Sequence, residues 1–407
     1  MSSTASNEIT PRMSRAEIRA SGLLASILAM RMLGWFLILP VFSVAAKTLT
    51  GGDSVTLVGW AMGIYGLAQA FGQLPYGLAS DRYGRKPVIV IGLVLFAVGS
   101  FIAAAATDIH WVIAGRAIQG AGAISAAVTA FIADSTREEH RTKAMAMVGG
   151  SIGITFAISM VLSPILYQWM GMGGVFGLTG VLAIIAIPVV LFMVPTMPRV
   201  PSGRADFGEV LKSAELMRLN FGVFVLHLTQ VAMFVVVPPA LVQYADLPIA
   251  SHWKVYLPVM IASFVLMLPP IFVGERQGKM KQVFVAAIAL MLAVQAGLWL
   301  FLQAPMHWSV LVILLLAFFI SFNVLEASQP SLVSRIAPPS AKGAALGVYN
   351  TLQALGLACG GVVGGWLRQH VSASSVFALG AGLTIVWLII AANMRNLPRR
   401  GAAAKTA

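Results

Sequence analysis

Charged residues are scarce in this sequence. They make up 10% of its 407 residues, whereas a soluble globular chain carries roughly 25%. The first sixteen residues are mostly polar, and no small-residue cleavage site follows the first apolar run, so we expect no cleaved signal peptide. The scarcity of charge argues against a soluble globular domain and indicates that lipid is the solvent.

Cysteine and the recurrent motifs of enzymes are also missing. Cys359 is the only cysteine, which excludes a disulfide framework within the chain and a multi-cysteine metal site. The sequence contains no Walker loop, no metal-ligand cluster and no recognisable nucleophile–base set. We therefore predict no enzymatic activity, no use of ATP as an energy source, and neither a metal nor an organic cofactor.

What the sequence has instead is long apolar stretches. Hydrophobic residues make up 58% of the chain, and the mean hydropathy is +0.87. Because a spanning helix needs about 20 mostly apolar residues, we predict an all-α membrane protein with twelve transmembrane helices. They lie near 19–46, 53–79, 86–106, 109–134, 143–169, 173–195, 217–245, 253–273, 281–303, 306–334, 342–370 and 374–395.

The basic residues predict how these helices are oriented. Of the 27 Lys and Arg residues, 22 fall on one side of the predicted membrane, and Lys47, Lys254 and Arg368 fall on the other. Because cytoplasmic loops collect Lys and Arg, we expect both termini in the cytoplasm. The same pattern accounts for the net charge of +13, so we expect no nucleic-acid partner.

A proline-rich linker divides the predicted helices into two groups of six. The loops after helices 2 and 8 are both rich in glycine and basic residues, and this weak internal symmetry suggests two bundles that rock around a central site. We predict a cytoplasmic tail over 1–18, an N-terminal bundle over 19–195, a cytoplasmic linker over 196–216, a C-terminal bundle over 217–395 and a second tail over 396–407.

The sharpest motif lies between helices 2 and 3. The string from Gly77 to Lys86 matches the pattern G-x-x-x-D-R-x-G-R-K and resembles the major facilitator superfamily. The resemblance implies a charge lock that stabilises the outward-facing state, formed by Gly77, Asp81, Arg82, Gly84, Arg85 and Lys86 with Asp134 at the end of helix 4. The alternative is that these basic residues only follow the charge bias of cytoplasmic loops.

Two further strings refine this resemblance. The string from Arg116 to Ala123 resembles the R-x-x-Q-G motif of helix 4, which implies proton coupling or substrate contact for Arg116; packing against buried carbonyls is the alternative. The helix 5 pattern of antiporters is kept in part: Gly150 and Pro164 match it, whereas Ser159 and Ser163 stand where the pattern has glycine. Together the strings resemble the twelve-helix drug:proton antiporter branch of the bacterial inner membrane.

The likeness to one bacterial inner-membrane member of this branch extends over all twelve predicted helices. It includes the string from Arg31 to Gly34 and the string from His252 to Leu257. That member carries a soluble domain after its last helix, whereas this sequence stops about a dozen residues beyond helix 12. We expect the protein to work without such a domain, and as a monomer.

Four ionisable side chains fall at membrane depth. They are Arg31 on helix 1, Arg116 on helix 4, His227 on helix 7 and Glu326 on helix 10, the helices that line the central cavity in this superfamily. Buried ions are costly in lipid and mark functional sites. We hypothesise that Glu326, alone or with His227, takes the proton and that one of the arginines sets its affinity. A static ion pair between Glu326 and an arginine, and a packing role for His227, are the alternatives.

Aromatic and amide side chains on the predicted helices are candidates for contacting an amphipathic substrate. Packing is the alternative for about half of them. They are Trp35, Phe36, Tyr65, Gln69, Gln73, Gln119, Phe156, Gln230, Phe234, Asn323, Tyr349, Asn350 and Gln353.

The predicted function is secondary active transport, as proton-driven efflux of small amphipathic or drug-like molecules by alternating access. A uniporter, or a proton symporter importing a small metabolite, is the alternative, and a non-transporting sensor or scaffold is a third class. The charge of the substrate stays open, because Glu326 would favour cations whereas Arg31 and Arg116 would favour anions or neutral molecules.

Overall fold

The computed structural model describes residues 13–195, 207–304, 306–338 and 341–395, and over these ranges the chain is helical apart from short connections and one isolated bridge between Thr50 and Asp108. In chain order the helices are α1 Arg15–Phe36, α2 Leu39–Ala45, α3 Val55–Tyr83, α4 Arg85–Ala104, α5 Ile109–Ala121, α6 Ser125–Asp134, α7 Glu138–Pro188, α8 Phe207–Lys212, α9 Ala214–Ala245, α10 Trp253–Gln277, α11 Met280–Phe301, α12 Trp308–Ile336, α13 Lys342–His370 and α14 Ala373–Ala392.

Eleven stretches of this part of the chain are long and apolar enough to cross a membrane, and one of them contains two spans. Helix α7 has 51 residues, about 76 Å at 1.5 Å per residue, which exceeds twice the ~30 Å of a hydrocarbon core. The chain turns at Gly171, whose φ of 66° and ψ of −177° are not helical and favour glycine. The structure therefore has the twelve spans that the sequence predicts.

The two arms of α7 contact the other helices of the N-terminal bundle at different places. Before the turn, the Ser151 hydroxyl donates to the Ala25 carbonyl of α1 at 3.4 Å. After it, Gly173 lies so close to the end of α4 that a Cβ there would be 2.7 Å from the carbonyl oxygen of Ala104. The predicted helices 143–169 and 173–195 are thus a tight hairpin with no separate loop.

Two predicted spans are each broken into two helices. The first span divides into α1 and α2 at Leu37–Ile38, because Pro40 has no amide hydrogen to donate to the preceding turn. The fourth span divides into α5 and α6 around Gly122, where a Cβ would lie 2.3 Å from the Gly92 carbonyl oxygen. Periodicity alone predicted each span as one helix.

Two described helices overlap segments predicted as the N-terminal tail and the linker. Helix α1 begins at Arg15, within the predicted tail 1–18, because Ser14 and Glu17 form a capping box. Helix α8 lies within the predicted linker 196–216, and its Val210 is fully buried. Residues 1–12, 196–206 and 396–407 lie outside the described part of the chain.

The two bundles meet along α3 and α13. A Cβ on Gly59 would lie 2.3 Å from the Gly361 carbonyl oxygen, and a Cβ on Gly63 would lie 2.5 Å from that of Ala358. We call this contact the glycine seam, formed by Gly59, Gly63 and Gly66 of α3 with Ala354, Ala358, Gly361 and Gly365 of α13. Small residues let the helices approach this closely.

The seam occupies one end of the molecule and the centre. We call the end that carries Arg85, Arg137 and Arg335 the basic end. There the ion pairs join residues within one bundle, Arg137 with Glu17 and Arg335 with Glu275. Several glycines of this end have open space where a Cβ would point: Gly149, Gly150 and Gly153 of α7, and Gly343 and Gly347 of α13. The bundles are therefore closed together at the end opposite the basic one.

Candidate functional site

The C-terminal bundle brings His227 of α9 and Glu326 of α12 together. The His227 Nε2 atom lies 3.5 Å from Glu326 Oε2. The histidine side chain is 5% exposed and the glutamate side chain 33% exposed, but the Oε2 atom that faces the imidazole is itself buried, with no hydrogen-bond partner among the described residues. The other ring nitrogen, Nδ1, lies 3.0 Å from the Val223 carbonyl oxygen one turn earlier on α9.

Helix α13 completes this cluster. Gln353 places its side-chain Nε2 atom 2.7 Å from Nε2 of His227. Tyr349, one turn earlier, is buried, and its hydroxyl has no hydrogen-bond partner among the described residues. Asn350, another predicted cavity residue, is half-buried. The amide composition of α13 marked Gln353 as a cavity candidate, but its contact with His227 depends on helix rotations that the sequence does not specify.

Aromatic rings separate this cluster from the closed end. Phe156 of α7 has ring-centroid distances of 4.9 Å to Phe36, 6.0 Å to Phe319 and 5.8 Å to Phe322. Phe322 in turn lies 5.9 Å from the His227 ring. The predicted cavity residue Phe234 belongs to the same group, 6.5 Å from Phe319. Phe36 and Phe156 belong to the N-terminal bundle, whereas Phe234, Phe319 and Phe322 belong to the C-terminal bundle. These rings therefore form a contact between the two bundles.

Another amide candidate of the C-terminal bundle, Asn323, has a partner other than His227. Asn323 of α12 donates from Nδ2 to the Ser263 hydroxyl of α10 at 3.1 Å and is 7% exposed. Its contact joins two helices of one bundle. Packing is thus the role that its geometry supports.

Arg116 lies in a separate, fully buried cluster of the N-terminal bundle. Its Cζ atom is 4.7 Å from the ring centroids of both Trp35 and Tyr65, which stack on each other at 4.9 Å. Its Nη1 donates to Gln119 Oε1 at 2.9 Å, and Nε donates to the Ala61 carbonyl at 3.3 Å. Ring faces and neutral oxygens thus hold a cation that has no carboxylate partner among the described residues.

Arg31 is held in a similar way. Its two terminal nitrogens donate to Gln69 Oε1 at 3.1 Å and to the Ser125 hydroxyl at 3.3 Å, and its side chain lies beside the Tyr65 ring at 5.5 Å. Arg31 is 2% exposed. Within the described ranges neither arginine forms an ion pair with Glu326, so the static arginine–glutamate pair considered as an alternative is not what the structure contains.

The loop between α3 and α4 brings its charges together on Arg85. Nε of Arg85 lies 2.8 Å from Asp134 Oδ2, and Nη1 lies 2.5 Å from Asp81 Oδ1. Gly84 has a φ of 101°, which favours glycine and lets α4 begin directly after α3 ends. The guanidinium thus links the end of α3 to the end of α6.

The other members of this motif are more peripheral. Lys86 donates to the Leu191 carbonyl at 3.1 Å, and Arg82 lies 5.4 Å from the ring of Tyr83. A Cβ on Gly77 would meet its nearest atom at 3.8 Å, which is ordinary contact. Close helix approach therefore does not require glycine at position 77 in this conformation.

The helix 5 motif positions fall along the first arm of α7. Gly150 has open space where a Cβ would point. Ser159 donates to the Thr155 carbonyl of its own helix, whereas Ser163 donates to the Leu37 carbonyl at the break between α1 and α2. Pro164 lies within the helix. One of the serines that replace glycine thus satisfies a carbonyl that the broken helix leaves free.

Comparisons with known proteins agree with this architecture. The family model of the Major Facilitator Superfamily matches residues 24–358 and 324–407. The inner membrane transport protein YajR of Escherichia coli is 44% identical over 393 residues, covering 95% of this chain and 86% of that protein. The multidrug resistance protein MdtH of Aeromonas hydrophila is 26% identical, with 82% of each chain covered.

A solved structure shares the fold. The human organic anion transporter MFSD10 superposes with a TM-score of 0.68 at 18% identity, covering 93% of this chain and all of that one. The twelve spans, the family match over most of the chain and the close bacterial relative agree. This chain is a multi-pass membrane transporter, not an enzyme, and it belongs to the major facilitator superfamily.

Proposed function

We propose that this transporter exports small amphipathic molecules in exchange for protons by alternating access, and that Glu326 and His227 carry the proton. The observation that carries the proposal is the pair itself, a carboxyl group and an imidazole 3.5 Å apart within spanning helices. Both groups can change charge under physiological conditions when their surroundings alternate. Arginine stays protonated in proteins, so Arg31 and Arg116 serve as fixed charges that tune the affinity for the proton.

The shape of the molecule supports alternating access. The glycine seam closes one end, and Glu326 is partly exposed in the half of the molecule nearer the basic end. We assign the basic end to the cytoplasm of a bacterial inner membrane, so that both termini are cytoplasmic and this conformation faces inward. Rocking the bundles would then expose the same pair to the other side.

The direction of transport has two supports. The helix 5 pattern typical of antiporters is partly kept, at Gly150 and Pro164, and one relative is named a multidrug resistance protein.

We assign Arg85, with Asp81 and Asp134, to the charge lock of the outward-facing state. The aromatic group around Phe156 and Phe322 offers apolar contacts to an amphipathic molecule.

Purified protein in proteoliposomes tests the proposal. A panel of cationic, neutral and anionic compounds is offered under proton gradients of either sign, while proton movement is recorded simultaneously. We expect Glu326→Gln to abolish substrate-driven proton movement while the protein still folds. Asp53→Asn, which removes an exposed carboxylate at the closed end, is the matched control and should transport normally.

Three results would contradict the proposal. Normal proton coupling in Glu326→Gln would show that Glu326 does not carry the proton. Substrate and protons moving in the same direction would indicate import by symport. Transport that is indifferent to the gradient would indicate a uniporter.

A further inference from the structure

The contacts of His227 fix where its first proton lies. A carbonyl oxygen only accepts hydrogen bonds, so the 3.0 Å contact with Val223 requires that Nδ1 carries a hydrogen. In the neutral ring the other nitrogen, Nε2, is then an acceptor. In the charged ring Nε2 carries a hydrogen as well and becomes a donor.

Two side chains compete for this one atom. Gln353 lies 2.7 Å from Nε2 through its amide nitrogen, which can only donate. That contact fits the neutral ring. Glu326 Oε2 lies 3.5 Å from the same Nε2, close enough to approach the charged ring after a small movement. A charged ring and the amide nitrogen of Gln353 cannot bond, because both would be donors.

We propose that Gln353 is the positioning residue that responds to the charge of His227 and passes the change to α13. When His227 gains a proton, Gln353 has to turn its amide so that Oε1 accepts, or leave the ring to Glu326. When the proton leaves, the amide nitrogen donates to Nε2 again. The inference rests on the proposed proton site and adds to it a coupling element.

Gln353 lies next to the glycine seam on α13, so a change in its hydrogen bond with His227 can reach the contact between the bundles. The next residue, Ala354, is the innermost contact of the glycine seam, and its carbonyl oxygen lies 2.6 Å from where a Cβ of Gly66 would be. The charge-sensing amide and the bundle contact are therefore adjacent on one helix turn. Phe322 lies beside the His227 ring, and Tyr349 is a further titratable side chain that interacts with Glu326.

Isotope-labelled histidine in the full-length protein tests the inference by NMR, with His227 assigned by its loss in His227→Gln. Gln353→Met keeps the volume but removes the donor to the neutral ring. We expect the pH at which His227 is half-protonated to rise by about 0.5–1 unit, the effect of one lost hydrogen bond. Gln353→Glu, which can only accept when ionised, should raise it further.

Matched variants separate a specific effect from a structural one. Gln295→Met removes another buried amide of the C-terminal bundle and should leave the His227 titration unchanged. The pH profile of transport should shift with the titration in both Gln353 variants. An unchanged His227 titration in Gln353→Met, or an equal shift in Gln295→Met, would overturn the inference. Because the titration is read without transport, this result is independent of the Glu326→Gln flux experiment.

Discussion

The two ends of α13 differ in what their glycines contact. Toward the closed end, Gly361 and Gly365 pack backbone to backbone against α3, whereas Gly343 and Gly347 at the basic end have open space where a side chain would point. Glycine thus allows close helix contact at one end of α13, whereas at the other end no neighbouring atom requires it. Glycine inside a helix lowers its stability, and at the two open positions no close contact in this conformation requires it.

The largest expected effect comes from adding one methyl group to the closed end. In Gly361→Ala the new Cβ would lie 2.6 Å from the Gly63 backbone nitrogen and 2.7 Å from the Gly59 carbonyl oxygen. Backbone atoms cannot move aside cheaply, so we expect a loss of about 1–3 kcal/mol in the stability of this conformation. Thermal unfolding in detergent measures it, and distances between spin labels on α3 and α13 should show the helices separating.

Gly347→Ala is the matched change at the other end of the same helix. Its Cβ meets no atom within 4 Å, so the gain in helix propensity should stabilise this conformation by about 0.5–1 kcal/mol. If the open glycines close together during the cycle, transport by Gly347→Ala should nevertheless be slower. A thermal destabilisation equal to that of Gly361→Ala would remove the contrast between the two ends.

A smaller effect is expected at the rim of the closed end. Gln369 Oε1 accepts from the Thr56 backbone N–H at 2.7 Å and from the Ser54 hydroxyl at 3.1 Å, and these bonds join the two bundles. Because they are exposed, Gln369→Ala should weaken the closed end by only about 0.5 kcal/mol. Spin-label distances across the rim should broaden slightly, while the seam below stays intact.

The fold could be predicted from the sequence because charge and hydropathy act over whole segments. The count of twelve spans follows from apolar length, and the turn at Gly171 leaves that count unchanged. The breaks at Leu37–Ile38 and Gly122 were not predicted. The break at Leu37–Ile38 follows from Pro40, a local signal that apolar length alone does not use. The break at Gly122 depends on a tertiary contact, the close approach of the Gly92 carbonyl.

The sequence names the residues of the candidate site as expectations, but it does not specify most of their contacts. His227 and Glu326 stood out because ionisable groups are rare at membrane depth. The contacts of each side chain depend on how its helix is rotated about its axis, and the periodicity of the sequence does not specify that rotation. Arg116 lies against the rings of Trp35 and Tyr65 and not beside a carboxylate, and Gln353 contacts His227.

The single cysteine of the chain gives the glycine seam a practical consequence. Cys359 lies on α13 directly beside Ala358, whose carbonyl packs on Gly63, and its side chain is half-buried. A thiol-specific reagent therefore has one target in the whole protein, next to the contact between the bundles. Its labelling in the native sequence therefore attaches a probe to α13 beside that contact, with no cysteine to remove beforehand.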